Sequence, residues 1–208
     1  MNESKRVLTP PFRLCFPAIW QPKSFNDGPE KYSVVAVWEK AELKGRYKQE
    51  WQNVLELLND AAKEKFNKTL AKLPDGYKRG IRNGAEKEGT EPFSDQVLFA
   101  TLSSIYPPGV VDLRRQPIAE TDDRVYAGCY MRASVNAYAY SNIQRGVALG
   151  LQNLQWLGHG DRLDGKRDAT SDFETDPDTS WFESEGVDPD APAETATEPA
   201  DFEDDIPF

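Results

Sequence analysis

Tyr126-Ala-Gly-Cys-Tyr-Met-Arg-Ala-Ser-Val-Asn-Ala-Tyr-Ala-Tyr140 alternates over 15 residues with the period of two that a β-strand imposes. One side carries Tyr126, Tyr130, Arg132, Ser134, Asn136, Tyr138 and Tyr140; the other carries Ala127, Cys129, Met131, Ala133, Val135, Ala137 and Ala139. A small apolar side facing the core and an aromatic, polar side facing outward follow from that division. A strand is expected over 124–140, and a second, 146–156, follows directly.

Working outward, runs rich in β-branched and aromatic residues occupy 13–20, 32–38, 96–102 and 110–113. They are bounded by turn formers: Pro10-Pro11, Pro17, Pro22, Asn26-Asp-Gly-Pro29 and Tyr106-Pro-Pro-Gly109. Between 42 and 73 the period changes to three and four, with Tyr47, Trp51, Val54, Leu55, Leu58, Ala62, Phe66 and Leu70 on one stripe, so an amphipathic helix is expected there, ended by Pro74-Asp-Gly76. The charged, Gly-spaced segment 77–92 reads as an exposed, mobile loop. The fold class is therefore mainly β: an OB-fold-like Greek-key barrel with one long inserted helix at about 42–73 and a disordered acidic tail. A simple OB-fold carries its helix between the third and fourth strands, whereas two strands precede Glu42 here. Either a strand is unread or the topology is elaborated.

Electrostatically the chain is two chains. Residues 1–167 hold 25 Lys and Arg against 20 Asp and Glu, while 168–208 hold 15 acidic residues and no Lys or Arg, giving about +5 and −15. The expected organisation is a domain over 1–167 and a 41-residue tail over 168–208, able to span roughly 35 Å as a flexible coil. The tail closes on Asp201-Phe202-Glu203-Asp204-Asp205-Ile206-Pro207-Phe208. An acidic string ending in two apolar side chains and a carboxylate suits a partner with a small apolar pocket and a basic rim, the charges steering the encounter and Ile206 and Phe208 anchoring it.

The basic body has what binding a single nucleic-acid strand without reading its sequence requires: cations to track phosphates and aromatic faces on which bases stack. Eighteen aromatic residues lie in 1–167, more than a core of this size needs, and several adjoin Lys or Arg. Tyr130, Arg132, Tyr138 and Tyr140 share one strand face and form a candidate stacking platform, unless their rings pack under the helix. Tyr77, Lys78, Arg79 and Arg82, with the Arg114-Arg115 pair, are candidate phosphate clamps. Trp20, before Gln21-Pro22-Lys23, and Trp38, before Glu39-Lys40, are candidate groove-lining indoles, whereas Trp51 belongs to the helix stripe and the core.

Catalytic signatures do not emerge. One histidine, His159, and two cysteines, Cys15 and Cys129 in apolar runs, leave no His/Cys zinc cluster, so no metal or other cofactor is expected. Asp95, Asp112 and Glu120 could serve a metal-dependent nuclease only if the fold converged them, and no phosphate-binding loop or nucleophile elbow occurs. No segment reaches the length of an apolar membrane span and the N-terminus lacks an apolar signal core, so a soluble, intracellular protein is expected.

The tip Asp201 to Phe208 resembles the C-terminal tip of bacterial single-stranded DNA-binding proteins, which partner enzymes grip by the final Pro-Phe. Arg13-Leu-Cys-Phe-Pro-Ala-Ile-Trp20, Lys31-Tyr-Ser-Val-Val35, Tyr106-Pro-Pro-Gly-Val-Val-Asp112, Tyr126-Ala-Gly-Cys-Tyr-Met-Arg132 and Gly146-Val-Ala-Leu-Gly-Leu-Gln152 are similar to phage-encoded single-stranded DNA-binding proteins and span most of 13–156. The resemblance implies a non-catalytic accessory of phage replication or recombination in the cytoplasm of the infected bacterial host. Such a protein coats single-stranded DNA and recruits replication or recombination proteins through its tip. Trp181-Phe182 is an extra apolar spot, either a second docking point or a segment that folds back on the body. A non-catalytic protein-interaction adaptor is the alternative.

Overall fold

The computed structural model describes residues 5–24, 28–87 and 89–165, so the expected tail, with Trp181, Phe182 and the acidic tip, lies outside the described residues. The six expected runs become strands β2 (Phe12–Lys23), β3 (Lys31–Glu39), β5 (Val97–Ser104), β6 (Gly109–Val111), β7 (Tyr130–Ser141) and β8 (Arg145–Gly158), and two short strands not expected from the sequence, β1 (Val7–Leu8) and β4 (Arg82–Asn83), join them. Neighbours pair in the circuit β2, β3, β5, β8, β7 and back to β2. Within that circuit the β5–β8 pairing is parallel and the others antiparallel. Five strands closing on themselves in this order form an OB-type barrel, as expected from the sequence. β1 and β6 extend the sheet beyond the circuit, on β7 and β8.

The alternation of β7 has the expected sense. Met131, Ala133 and Val135 are buried, and they join Phe12, Leu14, Val34, Ala36, Trp38, Ala100, Leu102, Leu149, Leu151 and Leu154 in the main core. The strand begins at Tyr130 rather than Arg124. Gly128, at φ +112°, turns the chain where a Cβ would meet the Asp161 carbonyl at 2.0 Å. Upstream, Arg124 closes a local fork on Asp122, at 2.6 Å, which holds that carboxyl down at about 2.

The single helix expected over 42–73 divides into three. α1 (Lys40–Lys44) stops at Gly45, α2 (Lys48–Phe66) stops at Asn67, and a short 3₁₀ turn covers Leu70–Lys72. Asn67 takes the left-handed conformation, φ 54°, and its N–H donates to the Lys63 carbonyl at 2.9 Å, so α2 ends well before Pro74. The Asn59 side chain then accepts from the Leu70 N–H at 2.9 Å and turns the chain back toward the barrel. α2 buries Val54, Leu57, Leu58, Ala61 and Ala62. It lies between the second and third barrel strands in sequence, so the barrel topology is elaborated, and β1 is a further strand before the helix that the sequence reading lacked.

Segment 77–92 is exposed in part but is not a free loop. The parallel β5–β8 pairing spans only Leu102 and Ser103, leaving the N-terminal half of the β5 edge in need of partners. β4 supplies them, with Arg82 opposite Phe99 and Asn83 opposite Leu98. Just before it, the Lys78 N–H donates to the Arg145 carbonyl and its carbonyl accepts from Val147 N–H, both at 2.9 Å. The segment thus plugs the gap where two barrel strands splay. Gly146 is required there, because a Cβ would stand 2.4 Å from the Lys78 carbonyl.

Both cysteines are buried and unbridged. Burial pushes the Cys15 thiol up to about 11, although Arg13 and Lys87 pull the other way, and burial also raises Cys129. At pH 8 neither thiol is expected to react with a chromogenic disulfide reagent in the native protein, and both are expected to react in denaturant. Fast reaction of either native thiol would contradict this packing.

Candidate nucleic-acid interface

The plug brings a set of sequence-expected residues together. Tyr77, Lys78, Arg79, Arg82 and Tyr140, with Thr101, line an open groove of about 340 Å³ between the plug and the N-terminal end of β8. Arg145, at the start of β8, donates from Nη1 to the Tyr77 hydroxyl at 3.2 Å, a bond that holds its guanidinium more firmly charged. Tyr77 in turn sets its ring edge-on to Phe66, 5.2 Å away. Arg79 also has a structural duty, donating to the Leu70 and Leu73 carbonyls at 3.2 and 3.1 Å. Tyr140 is half-buried, and burial raises its phenol. Lys78 is exposed, and Arg82 pairs with Glu86 at 2.6 Å.

Arg82 also belongs to a second cluster on the outer face of the barrel. Along β3 and β5, Val37 faces Phe99 and Val35 faces Thr101, while Cys15 of β2 lies opposite Val35. Cys15, Val35, Val37, Phe93, Val97 and Phe99 form a small apolar cluster separate from the main core. The Arg82 guanidinium lies 4.9 Å from the Phe99 ring, Phe99 meets Phe93 edge-on at 5.1 Å, and Phe93 stacks on Phe16 at 6.3 Å with an interplanar angle of 9°. Lys87 Nζ lies 5.4, 4.9 and 5.3 Å from Phe16, Phe93 and Phe99. OB-folds take oligonucleotides on the outer face of their second and third strands, here β3 and β5.

Phe16, Phe93, Phe99, Lys87 and Arg145 were absent from the sequence-derived candidates. One signal pointed at Phe16: Pro17 inside a strand-like run implies a bulge, and a bulge re-aims the side chain beside it. Phe99 and Phe93 carried no such signal, because the side of β5 that faces outward and the docking of the 89–93 turn are set by tertiary packing.

The remaining candidates are dispersed. Trp38 is corrected: it is 1% exposed, donates from Nε1 to the Pro10 carbonyl at 3.2 Å, and packs on Phe12 and Trp51, so its indole is not offered to a base. Charged neighbours in sequence misled, because Glu39 ends the strand while Trp38 still points inward. Trp20 is half-buried against the main core. Tyr130 is 40% exposed beneath the Arg13 guanidinium, 5.6 Å away. Arg132 donates from Nε to Gln155 at 2.8 Å, and Tyr138, 38% exposed, adjoins Ala61, Glu64 and Lys65 of α2. Arg114 and Arg115 occupy a turn whose N–H groups at Arg114 and Gln116 donate to Asp112, and they line neither the groove nor the phenylalanine cluster. Among the described residues, no group of three or more His, Cys, Asp or Glu is placed to hold a metal ion, so Asp95, Asp112 and Glu120 do not converge. No helix of the described chain is long and apolar enough to cross a membrane.

Residues 5–182 match the family model described as the ssDNA-binding protein of Enterobacter phage Enc34. Putative protein p50 of Acyrthosiphon pisum secondary endosymbiont phage 1 is 28% identical over 164 residues, 74% of this chain and 83% of that one. Among solved structures, the single-stranded DNA-binding protein from bacteriophage Enc34 in complex with ssDNA superposes with a TM-score of 0.63 at 16% identity, covering 76% of this chain and 88% of that one. The bacteriophage T7 single-stranded DNA binding protein gp2.5 gives a TM-score of 0.51 at 13% identity over 81% of this chain and 99% of its own. At these identities the two structures speak to the fold.

Proposed function

Since this chain belongs to the family of the ssDNA-binding protein of Enterobacter phage Enc34, we propose that it is a non-catalytic phage protein that coats single-stranded DNA without reading its sequence. The observation that carries the reading is the meeting of Lys78, Arg79 and Arg82 with Tyr77 and Tyr140 in one open groove. Cations there follow the phosphates, and tyrosine faces accept bases. A single strand suits the site better than a duplex, because stacking needs bases that are unpaired and splayed. The body over 1–167 is the binding domain. It acts in replication or recombination in the cytoplasm of the infected bacterial host, and the tail over 168–208 recruits partner enzymes through Ile206, Pro207 and Phe208.

Fluorescence anisotropy with labelled oligo-thymidine and a matched duplex, at low and moderate salt, tests this. Tight, salt-sensitive binding of the single strand, with a site of about 4–16 nucleotides, is the expected result. A flat salt dependence would count against the groove. Failure to bind any nucleic acid, with capture of replication proteins by the tip intact, would select the adaptor.

Removing 168–208 is expected to tighten DNA binding, since a tail of charge −15 competes with DNA for the basic body, and to abolish partner capture. Unchanged affinity in the truncated chain would remove the competition.

A further inference from the structure

We propose that Phe16 is a stacking step for a nucleobase, so that the DNA path continues from the Tyr77–Tyr140 groove past Arg82 and Lys87, along the Phe93 turn that covers the outer face of β3 and β5, to the bulge in β2. The inference rests on the reading of this chain as a single-strand binder. It starts from an unusual backbone. Phe16 stands at φ +47°, in the left-handed region that bulky side chains avoid, where the β2–β3 register shifts between Cys15 and Ala18. The result is a phenyl ring 55% exposed to water in a strand whose neighbours Leu14, Cys15, Ala18 and Ile19 are all buried.

Folding stability alone gives no reason for that arrangement, because the strained backbone holds an apolar ring out rather than in. A base gives one. Phe93 backs the ring in parallel at 6.3 Å, which keeps it from collapsing onto the sheet, and about half its surface stays open to a further ring. Lys87 stands 5.4 Å from the ring centre, and among the described residues no carboxylate forms an ion pair with it. A half-exposed aromatic ring, beside a cation that no described carboxylate pairs, matches one nucleotide: base on Phe16, phosphate at Lys87. Continuity with the first groove runs through Arg82, which lines that groove and lies over Phe99, one ring from Phe93.

The test uses the full chain, labelled oligo-thymidine and three variants. Phe16→Leu keeps an apolar cover on Phe93 but removes the π face. It is expected to weaken binding roughly tenfold with the salt slope unchanged, since no charge is lost. Lys87→Gln is expected to lower the slope by about 0.7, the contribution of one phosphate contact to a single strand. Phe16→Trp is expected to bind like the parent, with emission quenched on adding the oligonucleotide by more than that of the parent's own five tryptophans. Parent-like affinity in Phe16→Leu, together with no added quenching in Phe16→Trp, would overturn the proposal while leaving the groove reading intact if Lys78→Gln still weakens binding. Absence of single-strand binding by the parent chain would instead overturn the reading on which the step rests. Should Phe16→Leu fail to fold, the added quenching in Phe16→Trp decides by itself.

Discussion

Exchanging both Lys78 and Arg82 for glutamine is expected to weaken oligo-thymidine binding by about 100-fold or more, since each removes a charge-assisted contact of about 1.5–3 kcal/mol and about 1.4 kcal/mol is a tenfold change. The slope of log affinity against log salt should flatten by about 1.4, two phosphate contacts' worth for a single strand. Both side chains are exposed and neither is in the core, so the thermal midpoint should stay close to the parent's. Lys78 holds its place through backbone bonds to Arg145 and Val147, which glutamine keeps. Arg82 contributes an ion pair with Glu86 whose partners are each about half exposed, a pair of small worth to stability. The same pair supplies the converse control: Glu86→Gln frees Arg82 and should bind slightly tighter. An affinity within twofold of the parent in the double variant, with folding intact, would mean that DNA does not pass through this groove.

Trp38→Ala is expected to destabilise the body by about 3–5 kcal/mol, measured by chemical denaturation, since a fully buried aromatic leaves a cavity that its neighbours only partly fill. Trp38 packs edge-on against Phe12 at 5.8 Å and tilted on Trp51 of α2 at 5.3 Å, so it joins the barrel interior to the helix. Trp38→Phe retains most of that packing but strands the Pro10 carbonyl, and a loss of about 1–3 kcal/mol is expected. Unchanged stability in Trp38→Ala would contradict the burial described here. If instead the indole were a DNA contact, the alanine variant would keep its unfolding free energy and lose affinity.

Trp38 and Phe16 show where reading from residues reaches its limit. Both lie in strand-like runs where the neighbours mislead: charged residues advertise Trp38, which is buried, and apolar residues conceal Phe16, which is exposed and which Pro17 alone betrays. In a strand, parity assigns residues to two faces but does not say which face the rest of the chain will cover. In β3 both faces are covered, one by the barrel interior and one by the Phe93 turn, so its residues from Ser33 to Trp38 are all buried and alternation carries no outward signal. β7 was legible because one of its sides is uniformly small and apolar. The groove was legible in part. Its cations were plain in the Gly-spaced segment, but their meeting with Tyr140 depends on a splay between β5 and β8 that the plug must fill.

By itself the sequence determined the strand runs, the amphipathic stripe of α2, and the partition of charge into a basic body and an acidic tail with an apolar tip. Each of these is written in short-range periodicity or in plain composition. Only the tertiary structure decided the barrel closure, the early stop of α2 at Asn67, and the company that Tyr77, Lys78, Arg82 and Tyr140 keep. It also decided that Phe16 rather than Trp38 faces solvent. The physical reason is that unpaired backbone edges and uncovered apolar faces must be satisfied by whatever part of the chain can reach them, and reach is a property of the folded path.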